Sequence, residues 1–99
     1  MYLVNGMSDS KRLEMRISGR VQGVFFRKEA QKIAKQNTLV GFIRNESDGS
    51  VVCVAEGEES NLRNLLDWCK VGTDRAEVKM VEVEWKSATN SFTSFEITY

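Results

Sequence analysis

The feature that most constrains this chain is a change of hydrophobic period across two glycines. Leu13, Met15 and Ile17 alternate with Glu14, Arg16 and Ser18, which predicts a strand buried on one face. The strand ends at Gly19, and Gly23 follows four residues later. From Val24 onward Phe26, Ala30, Ile33 and Ala34 recur at helical spacing, with Lys28, Glu29, Gln31, Lys32 and Lys35 mostly opposite. A half-buried strand that turns sharply into an amphipathic helix must lay that helix back across the sheet. The helix is expected to fade near Asn37 and Thr38.

The rest of the chain adds a hairpin, a second helix and two further strands, with no internal repeat. Val40 to Asn45 reads as a second strand, Ser47-Asp48-Gly49-Ser50 as a turn, and Val51 to Glu56 as a third strand, apolar on both faces and therefore central. Ser60 is the expected N-cap of a helix carrying Leu62, Leu65, Leu66 and Cys69 on one face, with Gly72 ending it in a left-handed conformation. Val78 to Trp85 reads as a fourth strand whose apolar phase changes between Met80 and Val81, the mark of a bulge or a late start. Phe95, Ile97 and Tyr99 alternate in a short last strand.

This order predicts an α+β, ferredoxin-like βαββαβ sandwich with an extra C-terminal strand. Two helices should lie on one face of a mixed, mainly antiparallel sheet, each crossing in the right-handed sense between parallel neighbours. Ninety-nine residues suffice for one such domain. Residues 12–99 are assigned to it, and the polar residues 1–11 are read as a flexible N-terminal tail.

Charge and composition remove several function classes. Fourteen basic and fourteen acidic side chains cancel, so no global field favours nucleic acid or anionic lipid. No apolar run reaches the roughly 18 residues of a membrane span. The absence of histidine excludes a histidine base, a phosphohistidine and a histidine metal site. Cys53 and Cys69 lie among apolar residues and read as small core side chains in a reducing, cytoplasmic setting rather than as a disulfide. An RNA-recognition module of the same topology would stack bases on aromatics of its two central strands. Leu13 to Ser18 and Val51 to Glu56 carry none.

The candidate site is the loop Arg20, Val21, Gln22, Gly23 and Val24. Backbone N–H groups at a helix start converge on one point and suit an anion, although a two-glycine turn is more often a plain reversal. Arg27, one turn into the helix, could grip two oxygens of that anion; the average helical arginine is instead a solvated surface residue. Asn45, at the end of the second strand, carries an amide able both to accept from and to donate to a water, or it simply initiates the turn. Cys69 to Arg75 matches the Cys-x-x-Gly-x-x-Arg spacing of cysteine-dependent phosphatases. Its cysteine, however, falls on a helix whose C-terminus feeds the loop, where the dipole disfavours a thiolate.

Ile17 to Arg27, read as Ile-x-Gly-x-Val-Gln-Gly-Val-x-Phe-Arg, resembles the first signature of the acylphosphatase family. Gly41-Phe42-Ile43-Arg44-Asn45, followed by Gly49, Val51 and Gly57, is similar to the second. The resemblance runs from about Leu13 to Tyr99. It implies hydrolysis of a small-molecule acyl phosphate to a carboxylate and inorganic phosphate, with no metal or organic cofactor; the alternative is a non-catalytic phosphate-binding or protein-interaction module of the same fold. Arg27 corresponds to the phosphate-binding catalytic arginine, the 20–24 loop to its backbone partner, and Asn45 to the residue that positions water. Monomer is the default state. The chain departs from the pattern at Phe42, read as a large core aromatic in place of tryptophan, at Ile43, bulkier than the usual Val or Ala, at Thr73 in place of a common proline, and at Val52 and Thr98 in place of glutamate and arginine. The last two bear on rate and pH profile.

Overall fold

The structure, a computed structural model, describes residues 10–99. Strand β1 (Lys11–Arg20) leads through the glycine loop into helix α1 (Phe26–Gln36). Strands β2 (Val40–Asn45) and β3 (Val51–Gly57) form a hairpin; helix α2 (Glu59–Val71), the long strand β4 (Glu77–Ser87) and the short strand β5 (Phe95–Ile97) follow. The sheet order is β4-β1-β3-β2-β5. Only β2 and β5 pair in parallel; the other three pairings are antiparallel. Most of the expected tail lies outside the described residues, whereas Lys11 already belongs to β1, opposite Gly57 and Ser87.

Both helices pack on one face of the sheet, and the expected α+β sandwich is the observed one. The crossings differ in detail from the expectation of parallel neighbours. β3 lies between β1 and β2, and β1 lies between β3 and β4, so each helix joins parallel strands separated by an antiparallel one. The core is Leu13, Met15 and Ile17 of β1, Ile43 of β2, and Val51, Cys53 and Ala55 of β3, roofed by Phe26, Ala30 and Ala34 of α1 and Leu62, Leu65, Leu66 and Cys69 of α2. Phe26 meets Trp68 with ring centroids 5.1 Å apart, joining the two helices where the glycine loop ends. Both cysteines are free and buried.

Four local readings need correction. Helix α1 starts two residues later than the period suggested, because Phe25 adopts the left-handed conformation (φ 64°, ψ 20°). The residue preceding α2 is Glu58, without a side-chain cap; Ser60 lies inside the first turn. Gly72 has a positive φ of 76°, but its ψ of −159° is extended rather than left-handed helical. Phe42, expected in the core, lies half-buried on the helix-free face, where its ring meets that of Phe92 in a tilted pair, centroids 6.0 Å apart, and carries Arg44 at 5.4 Å.

The bulge is real and lies slightly earlier than the sequence phase suggested. Ser18 pairs with Met80 and Gly19 with Val78, leaving Lys79 unpaired. That extra residue turns both Val78 and Val81 toward the helices. Gly19 takes φ 125°, and a Cβ there would stand 2.1 Å from the Glu77 carbonyl oxygen. Only glycine fits this backbone at this distance. The bulge therefore steers the end of β1 into the loop that precedes α1.

Candidate active site

The loop is anchored from both sides by its own residues. Val21 and Val24 are buried side chains and bracket Gln22 and Gly23. The Gln22 amide donates to the carbonyls of Glu46 (2.8 Å) and Ser50 (2.9 Å), in the turn between β2 and β3. The Thr73 hydroxyl, in the loop after α2, donates to the Val24 carbonyl at 2.8 Å. Thr73 thus ties the loop after α2 directly to the end of the glycine loop. Arg20 is an exposed strand residue opposite Glu77.

Between those anchors the backbone donors are unused. Among the described residues, no backbone or side-chain acceptor meets the N–H groups of Gln22 through Arg27. Gly23 (φ 73°) and Phe25 (φ 64°) are both left-handed, and the three residues that follow begin a helix. Successive free N–H groups at a helix start form a concave, partially positive surface suited to an anion. Phe25, a bulky side chain in a disfavoured conformation, carries about 1–2 kcal/mol of local strain to make that shape.

Arg27 is the second residue of α1. Its guanidinium lies 5.2 Å from the centroid of the Tyr99 ring, beyond the end of β5. β5 is held there by pairing with β2, by the Thr98 N–H to the Ile43 carbonyl (2.9 Å), and by the Gln31 side chain of α1 to the Phe95 carbonyl (3.0 Å). Asn45 follows the buried Ile43 by two residues and so leaves the same helix-covered face of β2. Its Oδ1 is buried and has no hydrogen-bond partner among the described residues.

Sheet register brings these pieces to one end of the molecule. Val51 pairs with Ile17 on one side and with Asn45 on the other. Asn45 therefore stands level with the last buried residue of β1, about 10 Å across two strand spacings. Because Ile97 pairs with Ile43 in parallel, Tyr99 reaches the level of Asn45 on the next strand. Loop, Arg27 and Asn45 share this end. Sequence reasoning treated Gln22 as a backbone contributor and passed over Tyr99. The signal for Gln22 was present: it is the one polar side chain between two inward-facing valines and two glycines.

Val52 lies on the open face between Arg16 of β1 and Arg44 of β2. Arg16 bonds to the Ser50 hydroxyl (2.8 Å) and pairs with Asp48 (3.5 Å), and Arg44 pairs with Glu46 (2.6 Å). The bond and charge at Ser50 and Arg16 hold the Asp48 carboxyl below its ordinary value. The Thr98 hydroxyl is buried without a partner. The cysteines are chemically quiet. Burial pushes the Cys53 thiol up to about 12, and burial with Cys53 nearby raises Cys69 well above 9.0. Cys69 is fully buried on α2, so the phosphatase-like spacing has no nucleophile behind it.

Among the described residues no group of three or more acidic or cysteine side chains is placed to hold a metal ion, and no helix is long and apolar enough to cross a membrane. Fold and loop together define a small ferredoxin-like α+β domain with an anion-ready helix start. The acylphosphatase family model matches residues 13–97. An acylphosphatase of Pelotomaculum thermopropionicum is 42% identical over 83 residues, covering 84% of this chain and 90% of that protein. One of Roseiflexus sp. is 40% identical over 93 residues, covering 94% and 100%. The crystal structure of Bacillus subtilis acylphosphatase superposes with a TM-score of 0.87 at 31% identity, over 90% of this chain and 99% of that one. The chain belongs to the acylphosphatase family. It is an acyl phosphate hydrolase, the activity that the signature motifs implied.

Proposed function

We propose a division of labour for that hydrolysis. The free N–H groups along the 20–24 loop and the start of α1 hold the phosphoryl oxygens, with Val21, Gln22, Gly23 and Val24 contributing backbone and Arg20 flanking the mouth. The Arg27 guanidinium completes the grip with two donors of fixed geometry. Asn45 accepts from the attacking water through its unpartnered Oδ1 and aims it at phosphorus.

The chemistry suits these groups. Water adds to phosphorus, the phosphorus–acyl oxygen bond breaks, and the carboxylate leaves as a stable anion without a general acid. Charge spreads over the phosphoryl oxygens in the transition state, so position and fixed positive dipoles do the catalytic work. The observation that supports the reading is the run of backbone N–H groups from Gln22 to Arg27 without protein acceptors among the described residues. The same reading expects no metal requirement, a small-molecule substrate, a monomer and, from two free buried thiols, a reducing cytoplasmic setting.

Hydrolysis of benzoyl phosphate by single variants tests it. Arg27→Ala should lower kcat about 100- to 1,000-fold and weaken inhibition by inorganic phosphate. Asn45→Ala should lower kcat while phosphate still inhibits. Near-normal turnover by Arg27→Ala would overturn the assignment.

A further inference from the structure

The Gln22 side chain spans two parts of the site that sequence keeps apart. Its amide has two hydrogens, and each meets a carbonyl of the β2–β3 turn, Glu46 at 2.8 Å and Ser50 at 2.9 Å. Each of these carbonyls already serves the turn: the Glu46 N–H donates to Ser50 O (2.8 Å), and the Gly49 N–H to Glu46 O (3.1 Å). Gln22 takes the remaining lone pair of both. Its own backbone cannot drift, because Val21 and Val24 are buried on either side. On the far side the turn is held by Arg16 to the Ser50 hydroxyl (2.8 Å) and by that hydroxyl to Asp48 (2.6 Å). Glu46 follows Asn45 directly in the chain.

We infer that Gln22 is a positioning residue, whose amide locks the phosphate-binding loop to the turn carrying Asn45 so that water and phosphoryl group are held in one frame. This rests on the roles proposed above for the loop and Asn45. A water displaced by about 1 Å from its attack line costs about 100-fold in rate, and the tie acts on that displacement. Phosphate binding, which uses backbone N–H groups and Arg27, should change much less.

Three variants separate this from a plain buttress. Gln22→Met keeps the length and removes both donors. It should lower kcat for benzoyl phosphate about 10- to 100-fold, with KM and inhibition by inorganic phosphate within about threefold. If Gln22 works through Asn45, adding Gln22→Met to Asn45→Ala should cost less than about threefold more, because coupled residues are not additive. Gln22→Glu sets a carboxylate against two carbonyls at pH 7. On protonation it regains one donor, so its kcat relative to wild type should rise from pH 7 to pH 5 while that of Gln22→Met stays flat. Should Gln22→Met fail to fold, this pH recovery carries the test.

Losses that multiply fully in the double variant, or a Gln22→Glu ratio without pH dependence, would overturn the inference. So would Gln22→Met with lowered stability to urea and wild-type kcat. Wild-type turnover by Asn45→Ala alone would sink the water-positioning role itself. An inactive Asn45→Ala beside a fully active Gln22→Met would sink only the role of Gln22.

Discussion

Glu56 is the buried carboxylate on which the far end of the sheet depends, and replacing it by glutamine tests that dependence. Its side chain is 3% exposed at the end of β3. It accepts from Arg12 Nη1 (3.0 Å), from the Thr89 N–H (3.0 and 3.1 Å to its two oxygens) and hydroxyl (2.9 Å), and from the Asn90 N–H (3.0 Å). These bonds fold the segment between β4 and β5 back over the open face, where Phe92 packs on Phe42 and Arg12. Glu56→Gln retains the volume but offers one acceptor oxygen, and its amide points donors at donors. At least two of the four donor groups then lose their partner, at about 1–3 kcal/mol each. With Arg12 still held by Glu14 at 2.7 Å, we expect a net loss of about 2–4 kcal/mol. In a domain of this size that lowers Tm by about 10–25 °C.

The pH dependence provides an independent check. Burial alone would raise the Glu56 carboxyl, but the bonds from Thr89, Arg12 and Asn90 outweigh it and hold the group below the usual 4.5. A carboxyl depressed in the folded state contributes stability above its unfolded value and loses it as pH falls through the folded one. Urea titrations from pH 7 to pH 3 should therefore show wild-type stability declining below about 4.5. Glu56→Gln should decline less steeply. Some slope will remain, because Glu14 and Glu59 are also held low by Arg12 and Arg63. A variant within 0.5 kcal/mol of wild type at pH 7, a difference typical of an ordinary surface change, would refute the reasoning. An unchanged pH slope would do the same.

Three further outcomes follow from the geometry. Gly41 has φ 142°, and a Cβ there would stand 1.9 Å from the Val54 carbonyl oxygen, so Gly41→Ala should cost more than about 3 kcal/mol and take activity with it; urea unfolding checks this. Cys69→Ser should keep full turnover at temperatures where it is folded, and neither native thiol should react with iodoacetamide at pH 8 in an hour, since both are buried and raised far above that pH. Thr73→Val should release the Val24 carbonyl and loosen the loop's far anchor, raising the benzoyl phosphate KM several-fold with a stability loss of about 1 kcal/mol by urea titration.

Much of the fold was legible because period is a local property. Leu13, Met15 and Ile17 announce a strand, and Leu62, Leu65, Leu66 and Cys69 a helix, whatever surrounds them. The errors fall where a tertiary constraint overrules a local one. Phe25 looks like a helix former but is forced left-handed to turn the loop's N–H groups outward. Ser60 is the better cap by type, yet α2 begins at Glu59 directly after the β3 end that Glu56 fixes. Phe42 reads as core by type, but two-residue alternation places it opposite Ile43 on the open face. Side-chain ties such as Gln22 to Ser50 or Thr73 to Val24 join residues 28 and 49 apart and leave no local trace.

The site's assembly, by contrast, follows from topology once the strand order is known. Because β1 and β2 each pair antiparallel with β3, they run parallel, so the loop leaving β1 and the residue ending β2 must emerge at the same end of the sheet. Inserting β3 between them sets their separation at two strand spacings and levels Asn45 with Ile17 through Val51. Adding β5 parallel to β2 carries Tyr99 to that end as well, beside Arg27. Chain order alone sets Arg27 and Asn45 18 positions apart; the split crossing converts that gap into one shared end. Two parallel strand ends held at fixed spacing are what a reaction needs when one group must hold phosphorus and another must aim water at it.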